Sequence, residues 1–203
     1  VWLLSAAIRR GIGSLFHVSW WTHSMDPSFE LAKQGAIHAI VGTLEIGLLT
    51  SIISVPIALL TAIFLVEYAR GTKIAKAISF AVDVLTGVPS IVAALFVFAV
   101  VVTTFGGAQS AWASSLALMI LMIPTVLRST EEMLKLVPDS LREASFALGV
   151  SKWKTIMRVV LPTSMTGILT GIVLGLARVM GETAPLIVLV QFNTELTFNP
   201  STP

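Results

Sequence analysis

The chain contains no cysteine, and that absence removes disulfides, thiolate catalysis, zinc-thiolate and iron–sulfur sites. Charge is scarce as well. Asp, Glu, Lys and Arg make up 12% of the 203 residues, where soluble domains carry roughly 25%. The formal net charge of +2 and the lack of any continuous basic tract exclude nucleic acid as a partner. No G-x-x-x-x-G-K-[ST] phosphate loop occurs, so the chain does not hydrolyse ATP by that route. His17, His23 and His38 show no metal-ligand spacing with one another or with acids. The G-x-S-x string Gly149-Val150-Ser151-Lys152 has no histidine near it, which argues against an intramembrane hydrolase.

Apolar length is what the chain does have. AVILMFWYC account for 55% of residues and the mean hydropathy is +0.90, values that suit an integral membrane protein. Four apolar stretches stand out, at 36–66, 78–103, 113–127 and 163–190. A helix rises about 1.5 Å per residue, so about 20 residues cross a hydrocarbon core of about 30 Å. Three stretches are long enough outright, and the short one gains a neutral lead-in that extends it to about 107–127. Uniform apolarity without period-2 alternation predicts helices and not barrel strands. The first stretch exceeds what a span needs, so it must tilt, or kink at Pro56. The expectation is an all-α, polytopic transmembrane bundle formed by a single domain over 1–203.

The distribution of Lys and Arg predicts orientation. Arg70, Lys73 and Lys76 follow the first stretch, and Arg128, Lys135, Arg142, Lys152, Lys154 and Arg158 follow the third. Only Arg9, Arg10 and Lys33 lie on the other side. The positive-inside rule therefore places 67–77 and 128–162 in the cytoplasm. Trp20, Trp21 and Trp112 then fall near the outer boundary, as belt residues do. The opening run Val1–Ile8, followed by Arg9-Arg10, reads as the tail of a span, and the polar stretch 191–203 reads as an external loop.

The loop before the fourth stretch is written in helix grammar. Ser140-Leu141-Arg142-Glu143 predicts a capping box, and Gly149 predicts a left-handed C-terminal stop. Ser151 then caps a second helix that runs to Leu161, ahead of Pro162. Leu141, Ala144, Phe146, Leu148, Val150 and Trp153 give this 139–162 knob more apolar surface than a solvated loop requires, which points to a docking partner.

Glu143-Ala144-Ser145, three residues, Gly149, nine residues, then Val159-Val160-Leu161-Pro162 resembles the EAA motif of bacterial ABC importer permeases. Ser145 stands for the motif's second Ala and Val159 for its Ile, with the spacing intact. The blocks Gly87-Val88-Pro89-Ser90-Ile91-Val92, Arg128–Leu134, Val137–Ala144 and Ala177–Leu186 further resemble the A-subunit family of the Pst phosphate permeases. The resemblance implies a type I importer permease (MetI-like) fold, with first and last spans truncated here. It implies a bacterial inner-membrane location and a coupling role for Glu143, Ala144, Ser145, Gly149, Leu161 and Pro162. The partners it implies are ABC ATPase subunits that hold the ATP-Mg, a second permease in a heterodimer, an extracytoplasmic phosphate-binding protein and membrane lipid. It implies no cofactor in this chain. A sulfate or molybdate permease is the alternative, since such permeases share the loop. A secondary transporter is the more distant rival, for which the chain shows no inverted repeat.

Charges at membrane depth remain. A charge at the bilayer centre costs at least about 2.5–3.5 kcal/mol. Arg178 and Glu182, four apart, are therefore expected on one helical face turned to the protein interior. Two readings are open, a mutual ion pair that holds helices together, or an anion path in which Arg178 supplies charge and Glu182 weakens the grip. The resemblance favours the path, and implies parts in it for Arg178, Glu182 and Arg128, with Thr183 in the same block. Arg128 read alone is equally a snorkelling anchor. Glu45 either lines an outer cavity or pairs with a partner subunit, and Asp83 reads as a solvated carboxylate without a further role.

Overall fold

The computed structural model describes residues 1–25 and 35–190; Lys33 and the 191–203 stretch lie outside the described residues. Two short helices, α1 (Trp2–Gly11) and α2 (Val18–Thr22), precede the bundle. The first long helix, α3 (Ile37–Ile63), runs unbroken through Pro56 and ends in a π-helical turn at Phe64–Tyr68. At 32 residues the whole of it measures about 48 Å, longer than the hydrocarbon core, so an end must protrude.

The 78–103 stretch forms two helices that meet at a sharp bend, not one continuous helix. The first, α4 (Lys73–Thr86), meets α5 (Ser90–Val97, continued as a π helix through Phe98–Thr104) at a bend of 102°. Pro89 explains the break, because it lacks an amide hydrogen and keeps Val88 from helical geometry. It then starts α5 as its N-cap. Next comes α6 (Ala111–Lys135), capped by the Ser110 hydroxyl and extending eight residues past the expected end at 127. The described residues thus hold three helices long and apolar enough to cross a membrane, or four if the bent pair counts as one span.

The knob consists of α7 (Asp139–Ala147) and α8 (Lys152–Thr155). No stop precedes Pro162: α8 passes through a π turn at Ile156–Val160 straight into α9 (Leu161–Met180), one helix of 29 residues. Pro162 falls in the first turn of α9, directly after the wide turn, where the change in hydrogen-bond spacing accommodates a missing donor. The 163–190 stretch does break, at Gly181, and resumes as the short α10 (Ala184–Leu189).

At the centre stands α6, with α3, α4, α5, α9 and α10 around it. In lipid there is little hydrophobic drive between helices, so close backbone approach and dispersion must hold them. The seams are accordingly lined by small side chains. Gly47, Thr50, Ser54, Ala58 and Ala62 are buried on α3. On α9, Gly167, Gly171 and Gly175 lie against α6, where an added Cβ would collide with Met133 and Ser129 at the first two positions and come within 2.9 Å of Val126 at the third. Leu118, Met122, Val126, Leu127 and Leu134 of α6 fill the core between these seams.

Candidate functional site

The knob is built as two arms around Gly149. Its φ of +74° is a left-handed conformation that costs glycine little. Gly149 donates its amide to Phe146 O at 2.9 Å and Val150 donates to Ser145 O at 3.2 Å, the bonding of a Schellman stop. The predicted capping box is not made. Pro138, with φ near −60°, is the N-cap and no side chain caps the helix; proline's fixed geometry supplies the turn that Ser140 was expected to provide. Asp139 instead accepts from Arg142 Nη1 at 3.1 Å.

Ser145 is buried, and its hydroxyl lies 2.8 Å from the Thr155 hydroxyl, joining the two arms. This contact accounts for Ser where the motif has Ala. Glu143 and Ala144 are exposed, as are Leu141, Phe146, Leu148 and Trp153. Leu161 is half-buried and Pro162 exposed, at the knob's junction with α9. The outer side of the knob therefore presents apolar side chains with a free carboxylate among them.

Two further residues of this region escape a reading from sequence. Glu67 lies in the π turn ending α3, and Arg142 donates to its Oε1 from Nε at 3.1 Å and from Nη2 at 2.8 Å. The pair is separated by 75 residues, so no local pattern announces it.

Arg128 is held by two carboxylates and a carbonyl. It donates to Asp83 at 2.5 Å, to Glu131 at 2.7 Å and to the Ser79 carbonyl at 2.9 Å. Lys135 adds a second bond to Glu131 at 2.7 Å. The cluster fastens α4 to α6, and Asp83 has a structural part in it that its place in the sequence did not suggest. Two carboxylates already satisfy the Arg128 cation.

Arg178 differs from both. It is exposed in this chain, not turned inward, and its one hydrogen bond runs from Nη1 to the Thr125 hydroxyl at 3.4 Å. Because α9 ends at Met180, Glu182 does not share its helical face, and no ion pair joins the two among the described residues. Glu182 is half-buried and has no side-chain partner among the described residues, and Thr183 is exposed at the start of α10. Glu45 is half-buried on α3 and likewise has no side-chain partner among the described residues. Among the described residues, then, Arg178 keeps most of its five donors available, and the Glu45 and Glu182 carboxylates have no side-chain partner.

A bundle of helices long and apolar enough to cross a bilayer is the build of a polytopic membrane component. The sequence model of a family described as "Binding-protein-dependent transport system inner membrane component" matches residues 54–198, and the chain belongs to that family. It is a multi-pass inner-membrane protein. It is 50% identical over 200 residues to the phosphate transport system permease protein PstA of Mycobacterium leprae, covering 98% of this chain and 66% of that one. PstA 1 of Mycobacterium tuberculosis strain H37Rv is 53% identical over 95% of this chain and 63% of its own length. PstA of Haemophilus influenzae is 39% identical over 100% of this chain and 70% of its own. The chain spans just under two thirds of the mycobacterial relatives' length. In fold it resembles a chain of the MetNI methionine ABC transporter in an inward-facing conformation, with a TM-score of 0.60 at 22% identity, covering 71% of this chain and 70% of that one. The fold is that of the type I, MetI-like importer permeases.

Proposed function

We propose that the chain is a permease subunit of an ATP-driven importer that carries inorganic phosphate across the inner membrane. Its identity to PstA proteins supports the substrate, and the free Arg178 guanidinium carries the chemical argument. A phosphate oxyanion leaving water for a low-dielectric path needs a counter-charge. Arg178 supplies one, held only by a neutral hydroxyl. Glu182 and Thr183, just beyond the end of α9, belong to the same path, where a carboxylate keeps the anion from binding too tightly. Arg128 contributes to its field more than to its contacts, since Asp83 and Glu131 already occupy its donors.

A second permease chain covers the exposed Arg178 face and completes the path, most simply as a heterodimer. Separate ATPase subunits hold the Mg-ATP and receive the knob through Glu143, Ala144, Ser145, Gly149, Leu161 and Pro162. ATP binding closes the ATPase pair and rocks the spans outward-open, phosphate arrives from an external binding protein, and hydrolysis resets the path inward.

The test is uptake and ATPase activity in proteoliposomes containing the assembled transporter, with phosphate, sulfate or molybdate delivered by the respective binding protein. Phosphate alone should stimulate. Arg178→Gln should abolish uptake while the ATPase still co-purifies, and normal uptake in that variant would remove Arg178 from the path.

A further inference from the structure

We infer that Glu67 and Arg142 are the positioning residues through which movement of the docking knob reaches the first span. The inference rests on the proposed ATPase coupling and adds the contact that transmits it. Covalent continuity already ties the knob to α6 on one side and to α9 on the other. No such link joins it to α3, which it reaches only through side chains.

Those side chains converge on one turn. The Glu67 and Arg142 side chains are 7% and 12% exposed. Besides its two bonds to Glu67, the Arg142 guanidinium donates to the Val137 carbonyl at 2.6 Å and the Leu134 carbonyl at 3.0 Å, at the end of α6. One residue thus gathers α7, the end of α6 and the end of α3. From the other arm, Lys152 donates to the Glu67 backbone carbonyl and lies 4.7 Å above the Tyr68 ring. Ser145 and Thr155 hold the two arms together. The turn that they grip is the π turn of Phe64–Tyr68, closed by a bond from the Ala69 amide to Phe64 O at 2.8 Å. Arg70 also lies 3.8 Å from Asp139, but these side chains are 77% and 63% exposed and screened by water.

Separating the pair leaves the buried Glu67 carboxylate without its counter-charge, while Arg142 keeps only the more exposed Asp139 as a carboxylate partner, so a displaced knob must carry the α3 turn with it. Neither side chain lies on the exposed face of the knob, so docking and transmission are separable.

The experiment uses the full chain assembled with its second permease, ATPase and phosphate-loaded binding protein in proteoliposomes. Glu67→Gln and Arg142→Met should each retain ATPase co-purification and lower phosphate carried per ATP hydrolysed by about tenfold. Because a lone buried charge can unfold the chain, the neutral double variant Glu67→Gln/Arg142→Met is measured beside them. It should hold the thermal midpoint near that of the wild type and remain uncoupled. Wild-type phosphate per ATP in the double variant would overturn the inference. Loss of ATPase co-purification in it would do so too, by making the pair part of docking. A wild-type transporter without phosphate-stimulated ATPase activity would instead overturn the functional reading itself.

Discussion

Three arginines on the long helices and the knob illustrate how partners, not residue type, set a role. Arg142 has two carboxylates and two carbonyls in a largely buried setting, Arg128 has two carboxylates and a carbonyl, and Arg178 has one hydroxyl. A guanidinium whose donors are occupied by carboxylates is a fastening, whereas one held by a neutral group keeps its charge for a ligand. Glycines divide by surroundings in the same way. At Gly171 an added Cβ meets the Ser129 side chain of α6, while at Gly42 it meets nothing within 4 Å. Gly171→Ala should therefore cost about 1–3 kcal/mol through overpacking. Gly42→Ala, inside α3, should be neutral or stabilise by up to about 1 kcal/mol through helix propensity. Thermal denaturation of the purified membrane protein distinguishes the two.

At the level of elements, the knob depends on the one backbone conformation that closes α7. Gly149→Val places a β-branched residue at a φ of +74° and should cost the Schellman stop, so that α7 and α8 no longer lie side by side. Co-purification of the ATPase should fall sharply in that variant and much less in Gly149→Asn, since Asn visits the left-handed region readily. Equal, wild-type recovery from both would argue against the docking role of the knob. The π turns at 64–68 and 156–160 flank the same knob, one where it grips α3 and one where it becomes α9. Such turns change the pitch of a helix locally, and both stand where the span changes surroundings.

For the whole molecule, the arrangement of charge requires one orientation. The knob and the α3–α4 connection carry the Lys and Arg excess, and the positive-inside rule predicts both on the cytoplasmic side. With no native cysteine, single replacements report side cleanly. Leu148→Cys, on the exposed knob, should react with an impermeant maleimide only from the cytoplasmic face, and Phe105→Cys, after α5, only from the outside. Labelling of both from one face would overturn the topology.

Much of the fold was legible before the structure, for a physical reason. The hydrocarbon core sets a length and penalises charge, so apolar runs, their number and the bias of Lys and Arg follow from one-dimensional counting. Gly149 as a stop and the exposed apolar side of the knob are likewise local properties. Proline was less transparent: Pro56 and Pro162 are absorbed in continuous helices, while Pro89 ends one, and the difference lies in what neighbours each backbone. The helix break at Gly181 also removed the shared face expected for Arg178 and Glu182. By itself, then, the sequence determined the apolar solvent, the long helices and the two-armed loop, because these depend on composition within a window. Only the tertiary structure decided which charges cancel. Glu67 meets Arg142 and Asp83 meets Arg128 across many intervening residues, and neutralisation depends on distance in space, which no spacing along the chain records.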